Sequence, residues 1–272
     1  MSIVLIISLY GTLDAMNWPS EDANVVRNFG WNDRGKPVLG VVFTGDTEIL
    51  AAENGEVIFT RRKNDTASRL PSPLGAWTAL DHGDGLISIY SRCADEGRPF
   101  GQVEKQQPIA ESGISGWSGQ KGFYFFLYDR RERRWINPAM IITPLKDTRP
   151  PQILSVDLVN AEGVNTQMRN LGQGRYTILV TAAGANLLAP QRIICSINGA
   201  EVGALNFETI SARDGVLMVY RNGLVPAKQI YTNFPAYEAA DVFLNRGQVS
   251  MEIIVQDIAG NSRSSVSRMT VN

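Results

Sequence analysis

The sequence predicts an all-β protein made of two domains. Short runs rich in β-branched and aromatic residues alternate with Gly, Asn and Asp turn residues along most of the 272-residue chain. No stretch shows a sustained apolar period of 3.6 residues, so long helices are not expected. A polar segment with two adjacent prolines, 146–151, divides the runs into two series. We therefore expect domains at 24–146 and 152–272 with a linker at 147–151.

The composition is that of a folded, nearly neutral protein. Lys and Arg number 26 and Asp and Glu number 27, so the net charge creates no general attraction to nucleic acid. Hydrophobic residues make up 44% of the chain, which is ordinary for a globular protein and argues against disorder. Each predicted domain is long enough to bury a core. We expect no nucleic-acid partner.

Residues 1–15 have the outline of a secretory signal. An apolar run at 3–9 is followed by Ala15 and then by a polar stretch. The basic start of a typical signal is missing, and a buried β-strand is the alternative interpretation. The run is far shorter than the roughly 20 apolar residues that span a bilayer. We expect an exported protein that is not an integral membrane protein.

Six runs in the first half have the composition of β-strands. They lie at 38–43, 48–52, 56–60, 77–80, 86–90 and 123–128. The last run is almost entirely aromatic. Because side chains alternate along a strand, Phe123, Phe125 and Leu127 are predicted to share one face.

The second half has the strand spacing of a β-sandwich. Its runs lie at 153–159, 176–182, 193–197, 216–220, 251–256 and 266–271. The sequence Val-Gln-Asp-Ile-Ala-Gly-Asn at 255–261 resembles a turn near the last strand of bacterial immunoglobulin-like domains, which implies that fold for 152–272. Residues 228–241 are predicted to form a long loop with a helical turn at 236–240.

The chain contains two cysteines, Cys93 in the first half and Cys195 in the second. Two thiols provide neither a disulfide framework nor a Cys-x-x-Cys metal or redox pair. Two interpretations stay open: one bridge between the halves, or two unrelated, half-buried thiols.

Ordered sequence blocks in the first half carry a family resemblance. They are Phe29-Gly30 with Gly40, the hairpin at 45–57, the stretch 80–90 with Asp81-His82-Gly83-Asp84-Gly85, the stretch 103–116, and Asn137-Pro138. Together they resemble the lysostaphin-type (LytM) zinc endopeptidases, which cut peptidoglycan. Gln106 stands where that family has a glycine. The resemblance implies a LytM-like antiparallel β-sheet fold for 24–146.

The residues that perform the chemistry of that family are absent from the matching positions. Active members bind zinc through the His and Asp of H-x-x-x-D and the second His of H-x-H, and two further histidines assist catalysis. By the resemblance, the ligand positions are Val38, Val42 and Phe125, and the catalytic-histidine positions are Arg92 and Phe123. Valine and phenylalanine offer no lone pair, and arginine is a permanent cation. We expect no catalytic residue, no metal and no cofactor.

Two interpretations of the aromatic run remain. Its side chains fill the vacated metal cavity, or they form the floor of a groove that docks a partner. For a groove, the candidate binding residues are Tyr90, Arg92, Trp117, Phe123 and Phe125. His82, the single histidine of the chain, matches a family position that is not a zinc ligand.

The function predicted from these features is non-catalytic. A pseudo-peptidase of the bacterial periplasm or cell envelope would bind peptidoglycan or a protein partner, such as a cell-wall hydrolase, through the vacant groove. The missing histidines argue against an enzyme. The alternatives are an active zinc endopeptidase with unconventional ligands and a purely structural envelope module.

Overall fold

A computed structural model of the chain consists almost entirely of β-strands, which confirms the predicted all-β class. It describes residues 15–22, 24–62, 71–94, 99–142, 149–166, 168, 171–184 and 188–272. The first half contains β1 (Asn24–Arg27), β2 (Val41–Thr44), β3 (Glu48–Leu50), β4 (Gly55–Arg61), β5 (Ala76–Asp81), β6 (Leu86–Cys93), β7 (Gly101–Val103), β8 (Pro108–Glu111), β9 (Gly122–Asp129) and β10 (Arg134–Ile136), followed by a 3-10 turn at Pro138–Met140. The second half contains β11 (Gln152–Asn160), β12 (Gly174–Ala183), β13 (Arg192–Ile197), β14 (Ala200–Arg213), β15 (Val216–Arg221), β16 (Leu224–Pro226), helix α1 (Ala227–Tyr231), β17 (Tyr237–Leu244), β18 (Gly247–Gln256) and β19 (Ser262–Val271).

The first half is built around an antiparallel sheet in the order β7-β4-β5-β6-β9. The free side of β9 is shared by two strands, β2 along residues 122–125 and β10 along residues 127–129. The tight β5–β6 hairpin closes through Gly83, Asp84 and Gly85, which all have left-handed φ values. This conformation is easy for glycine and accessible to aspartate, so the turn residues identified in the sequence do form the turn.

One face of this sheet packs into the core of the first half. The two-stranded sheet β3–β8 supplies Ile49 and Ile109 to the same core. Met16 also belongs to it and forms a parallel bridge with Ile142. The packed part of the first half therefore extends from Met16 to Ile142 among the described residues.

The second half is a β-sandwich. The sheet β11-β12-β17 faces the sheet β19-β18-β13-β14, and one hydrophobic core is shared by both. Strand alternation supplies this core: Ile178 and Val180 of β12 are fully buried, as are Ile253 and Val255 of β18. The predicted strand runs of this half are all found.

The two halves share a sheet and a core. Strand β10 pairs with β14 from Arg134↔Ser211 to Ile136↔Thr209, so the hydrogen-bonded sheet of the first half continues into the sandwich. Phe29 is fully buried within the sandwich core, although it lies in the first half of the sequence. The halves are therefore packed together over a wide area.

Buried polar groups fix this contact between the halves. Asn28 donates to the Ala189 carbonyl and accepts from the Ala189 N–H, at 3.0 and 2.7 Å. The amide of Asn32 donates to the carbonyls of Tyr231 and Ala236 at 3.2 and 3.0 Å. Since each of these groups would be costly to leave unpaired in the interior, they specify the position of the segment on the sandwich.

One local prediction is wrong. Residues 228–241 do not form a long loop with a turn at 236–240; helix α1 ends at Tyr231 and β17 begins at Tyr237. Ala239 and Ala240 are both buried because β17 pairs with β12 through an irregular register at this point.

The predicted signal, 1–15, lies outside the described residues except for Ala15. No helix in the described ranges has the length and hydrophobicity needed to cross a lipid bilayer.

Candidate functional site: the outer face of the first-half sheet

Strand β9 separates two faces of the first-half sheet. Phe123, Phe125 and Leu127 are completely buried on one side, which we call the core face. Tyr124 and Tyr128 alternate with them and are half-buried on the other side, which we call the outer face. The predicted alternation is observed. However, Phe123 and Phe125 lie inside the core, so they are not available as the floor of a binding groove.

The register of β2 against β9 moves the predicted site by one residue. Val42 pairs with Tyr124, while Val41 pairs with Phe125. Directly paired residues of neighbouring strands share a face, so Val42 lies on the outer face with Tyr124. Assigning the family's H-x-H positions to Phe123 and Phe125 is therefore wrong, because those side chains point away from Val42. Tyr124 and Phe126 are the β9 residues on the face of Val42.

The chain leading into β2 passes very close to β9. The Leu39 N–H donates to the Tyr124 hydroxyl at 2.9 Å. A Cβ atom at Gly40 would lie 2.1 Å from the carbonyl oxygen of Phe125, so only glycine permits this approach. Val38 is buried beside it, with 5% of its surface exposed. The hydroxyl of Tyr124 is thus held by backbone rather than left for a ligand.

Arg92 reaches the outer face through a β-bulge. The register between β5 and β6 shifts at this point and leaves Arg92 as the extra residue. Its φ is 66°, a left-handed value that is uncommon for a residue with a long side chain. The guanidinium carbon lies 5.4 Å from the centroid of the Tyr124 ring, a cation–π contact. Burial lowers the pKa of Arg92, but an arginine stays protonated in a protein.

Aromatic side chains cover the outer face in stacked pairs. The ring centroids are 4.2 Å apart in Phe59–Trp77 and 3.9 Å apart in Tyr124–Phe126, with interplanar angles of 23° and 30°. Trp135 lies 5.5 Å from Phe126 and belongs to the residues packed against the sandwich core. Rings stacked on one another cover their faces and leave their edges for other contacts. Phe126 is buried within this face, with 6% of its surface exposed, whereas Phe59 is 41% exposed. The accessible part of this aromatic platform is therefore at the Phe59–Trp77 pair and beside the half-buried Tyr124.

The other candidate binding residues lie in different surroundings. Tyr90 is fully buried on the core face, where its hydroxyl accepts the Ala52 N–H at 2.8 Å, so it does not line a groove. Trp117 is 77% exposed. Its loop is anchored by Ser115, whose hydroxyl donates to the Cys93 carbonyl at 2.7 Å. The loop that contains Trp117 is therefore attached to the C-terminal end of β6. Arg92 lies at the same end of that strand.

His82 is part of a closed hydrogen-bond chain rather than a metal site. Its Nδ1 lies 2.7 Å from the carbonyl oxygen of Asn54, which can only accept, so Nδ1 is the donor. In the neutral ring Nε2 then accepts from the Ser88 hydroxyl at 2.7 Å. Ser88 is in turn 3.0 Å from the hydroxyl of Tyr90. Both ring nitrogens are occupied, and the chain links the β5–β6 turn to the core.

Stability is expected to fall between pH 7.5 and pH 5.5 because of His82. Burial lowers the pKa of this ring, and the hydrogen bond to Asn54 and the charges of Glu53 and Asp81 offset only part of that effect. A histidine with a lowered pKa binds its proton more readily in the unfolded chain, so stability is lost as the pH falls below the unfolded value, near 6.5. Urea unfolding at several pH values measures the loss. The His82→Gln variant should show a flatter profile in this window, and an unchanged profile would contradict the assignment.

The residues of the outer face do not fit a zinc ion. Val42 has no lone pair, Arg92 is cationic, and burial raises the pKa of Tyr124 well above its ordinary value, which disfavours a phenolate ligand. Within the described ranges, no three His, Cys, Asp or Glu side chains come together as a metal-binding group. Both cysteines are free and buried, and burial raises the pKa of each thiol to about 12.

Comparison with solved structures finds several that are similar to this chain. Solved structures similar to this chain include the SpoIIQ–SpoIIIAH pore-forming complex (19% identity, TM-score 0.39, covering 48% of this chain and 92% of that chain). The catalytic domain of the M23 protein EnpA from Enterococcus faecalis is similar at 19% identity and a TM-score of 0.36, covering 43% and 90%. Lysostaphin from Staphylococcus simulans is similar at 14% identity and a TM-score of 0.37, covering 76% and 86%.

All three similarities are below 25% identity and below a TM-score of 0.5. A family model matches residues 150–272, which is the β-sandwich half of the chain. A search of curated proteins finds no match. What the outer face does is therefore inferred from its own residues.

Proposed function

We propose that this protein is a non-catalytic module of the bacterial cell envelope that binds a partner through the outer face. The partner is a protein such as a cell-wall hydrolase, or peptidoglycan itself. The observation that carries the proposal is the set of residues on this face: Val42 pairs with Tyr124, and the Arg92 guanidinium lies over the Tyr124 ring. By the resemblance, Val42 and Arg92 take positions at which the enzymes have a zinc ligand and a catalytic histidine. Contact then takes the place of hydrolysis.

The chemistry of the outer face supports binding. Aromatic and arginine side chains are the residues that most often anchor protein interfaces, because they bury a large area with few rotatable bonds. Here they sit on paired strands, and Tyr124 is fixed by the Leu39 N–H. A platform that is already ordered loses little conformational freedom when a partner binds. Phe59, 41% exposed, and the half-buried Trp77 offer apolar area at the β4–β5 side.

The second half supports the platform from the side. We propose an immunoglobulin-like class for it on the basis of the turn at 255–261. In that turn the Asp257 carboxylate accepts the backbone N–H of Asn261 at 2.9 Å and its side-chain amide at 3.0 Å. We propose residues 1–15 as a secretory signal, and N-terminal sequencing of the exported protein tests this.

Replacing Phe59 with alanine is expected to weaken binding of the partner at least tenfold. The substitution removes an exposed ring that stacks on Trp77, and loss of an aromatic anchor typically reduces affinity by this factor or more. The measurements are co-sedimentation with purified peptidoglycan and the rate of a purified cell-wall amidase with and without the protein. Phe243→Ala, which removes an even more exposed ring of the second half (60% against 41% for Phe59), is the control.

The outcomes separate the candidate functions. Binding or amidase activation that Phe59→Ala weakens and Phe243→Ala does not supports the proposal. Failure to bind peptidoglycan or to affect any amidase leaves a purely structural module. Cleavage of peptidoglycan that a chelator abolishes would establish a metallopeptidase and refute the proposal.

A further inference from the structure

We propose that Arg92 is the receptor for a carboxylate of the partner, presented by an apolar peptide segment of a protein. This inference rests on the proposed function and specifies the chemistry that the outer face recognises. Arg92 supplies the positive charge, and the surrounding aromatic rings supply the apolar contacts.

The backbone at Arg92 is strained in a way that aims the side chain. A left-handed φ is unfavourable for a residue with a Cβ atom, and glycine would avoid the cost. The β-bulge also breaks the alternation of β6, because Ser91 pairs with Tyr124 and the next residue would otherwise point into the core. Strain of this kind persists where a particular side-chain direction is needed. The direction obtained places a guanidinium over Tyr124.

The charge of Arg92 is not matched within the described chain. By contrast, the largely buried Arg221 pairs with two carboxylates, Glu238 at 2.9 Å and Asp241 at 3.2 Å. Among the described residues, no carboxylate forms an ion pair with Arg92, and its one recorded contact of this kind is the Tyr124 ring. A planar guanidinium offers a fork of N–H donors that fits a carboxylate. Arg92 therefore offers this fork of donors to a partner.

The surroundings favour a singly charged anion. Arg27 and Asp33 act on the charge of Arg92 in opposite directions, and these two form an ion pair with each other at 3.2 Å. Within the described residues, their effects on Arg92 therefore oppose one another. A carboxylate neutralises one positive charge, whereas a phosphate dianion would leave an excess negative charge beside Asp33. Stacked pairs such as Phe59–Trp77 add apolar contact for the chain that carries the carboxylate.

A protein segment suits this face better than a cell-wall stem peptide. The stacked pair Phe59–Trp77, in which Phe59 is 41% exposed, presents ring edges that suit aliphatic or aromatic side chains. Apolar side chains are plentiful in protein segments. Stem peptides are short and bear small side chains. A stem peptide would therefore pair its carboxylate with Arg92 but leave most of the aromatic platform uncovered.

The test uses N-acetyl-L-phenylalanine as a minimal apolar carboxylate and its primary amide as the neutral control. The full chain is labelled with 15N, and the Arg92 Nε–H resonance is followed by NMR during titration. A hydrogen bond to a charged group contributes about 1.5–3 kcal/mol, so the acid should bind at least tenfold more tightly than the amide. The preference should vanish in Arg92→Gln and be only partly retained in Arg92→Lys, which keeps the charge and loses the fork.

Controls keep this test independent of folding. Arg263→Gln removes an exposed arginine on β19 and should leave the acid-over-amide preference unchanged. Arg92→Gly relieves the left-handed strain, so it should fold and still lose the preference. Equal binding of acid and amide, or a preference that survives Arg92→Gln, would overturn the inference. A stem tetrapeptide that binds more tightly than N-acetyl-L-phenylalanine in an Arg92-dependent way would refute a protein source for the carboxylate.

The result is distinguishable from failure of the proposed function. If Phe59→Ala weakens binding of the amidase or of peptidoglycan and Arg92→Gln does not, the outer face is a binding surface and the carboxylate receptor is refuted. If neither variant changes binding, both proposals are refuted.

Discussion

Phe125→Ala is expected to lower the free energy of unfolding by about 3–5 kcal/mol. The ring is completely buried, lies 5.2 Å from the ring of Tyr90, and belongs to a strand paired on both sides. Paired strands cannot move together to close the cavity, so most of the lost packing is not recovered. Urea unfolding followed by circular dichroism measures the change.

Tyr128→Ala is the control on the same strand. Tyr128 is half-buried on the outer face and contacts Trp135 at 4.8 Å. Removing an aromatic pair with partial burial should cost about 1–2 kcal/mol. Equal losses in the two variants would contradict the assignment of Phe125 to the core face and Tyr128 to the outer face.

Gly30→Ala is expected to destabilise the protein by about 2–4 kcal/mol. A Cβ atom there would lie 2.9 Å from both Cβ and Cγ of Phe207, a fully buried residue of the sandwich core. Overpacking of this kind typically costs about 1–3 kcal/mol. The left-handed φ of 79° adds the conformational cost of an alanine in that region. Thermal and urea unfolding of the purified variant give the value.

The Gly163→Ala variant separates the cost of overpacking from the cost of the left-handed backbone. Gly163 has almost the same φ, 78°, but an added Cβ would meet nothing within 4 Å. It should cost about 1 kcal/mol from the backbone alone. A Gly30 variant no worse than the Gly163 variant would show that the first-half segment is not pressed against Phe207.

The fold class was predictable because it depends on local composition. β-branched and aromatic runs between turn residues mark most strands, and the alternation of β9 correctly separated Phe125 from Tyr124. One strand does not reveal which of its faces meets β2, because that depends on pairing between residues distant in sequence. From the sequence, the H-x-H positions were therefore assigned to Phe123 and Phe125. The register of β2 against β9 instead places Tyr124 and Phe126 on the face of Val42.

Other features carried too weak a local signal. Arg92 occupies a left-handed bulge position, but the sequence has no glycine there to indicate it. Strand β17 contains Ala239 and Ala240, and alanine is depleted in strands, so composition favoured a loop. The insertion of Phe29 into the sandwich core depends on the shape of the other half, and no pattern within the first half predicts it.

The hydrogen-bonded ladder from β9 through β10 to β14 has a mechanical consequence. The first-half sheet and the sandwich move as one rigid unit. A hinge motion between them would have to break the β10–β14 hydrogen bonds and remove Phe29 from the sandwich core. A molecule captured on the platform is consequently held at a set angle to the C-terminal half. Force that pulls the halves apart is then borne by the short β10–β14 pairing, from Arg134 to Ile136, and by the packing of Phe29, instead of stretching a tether.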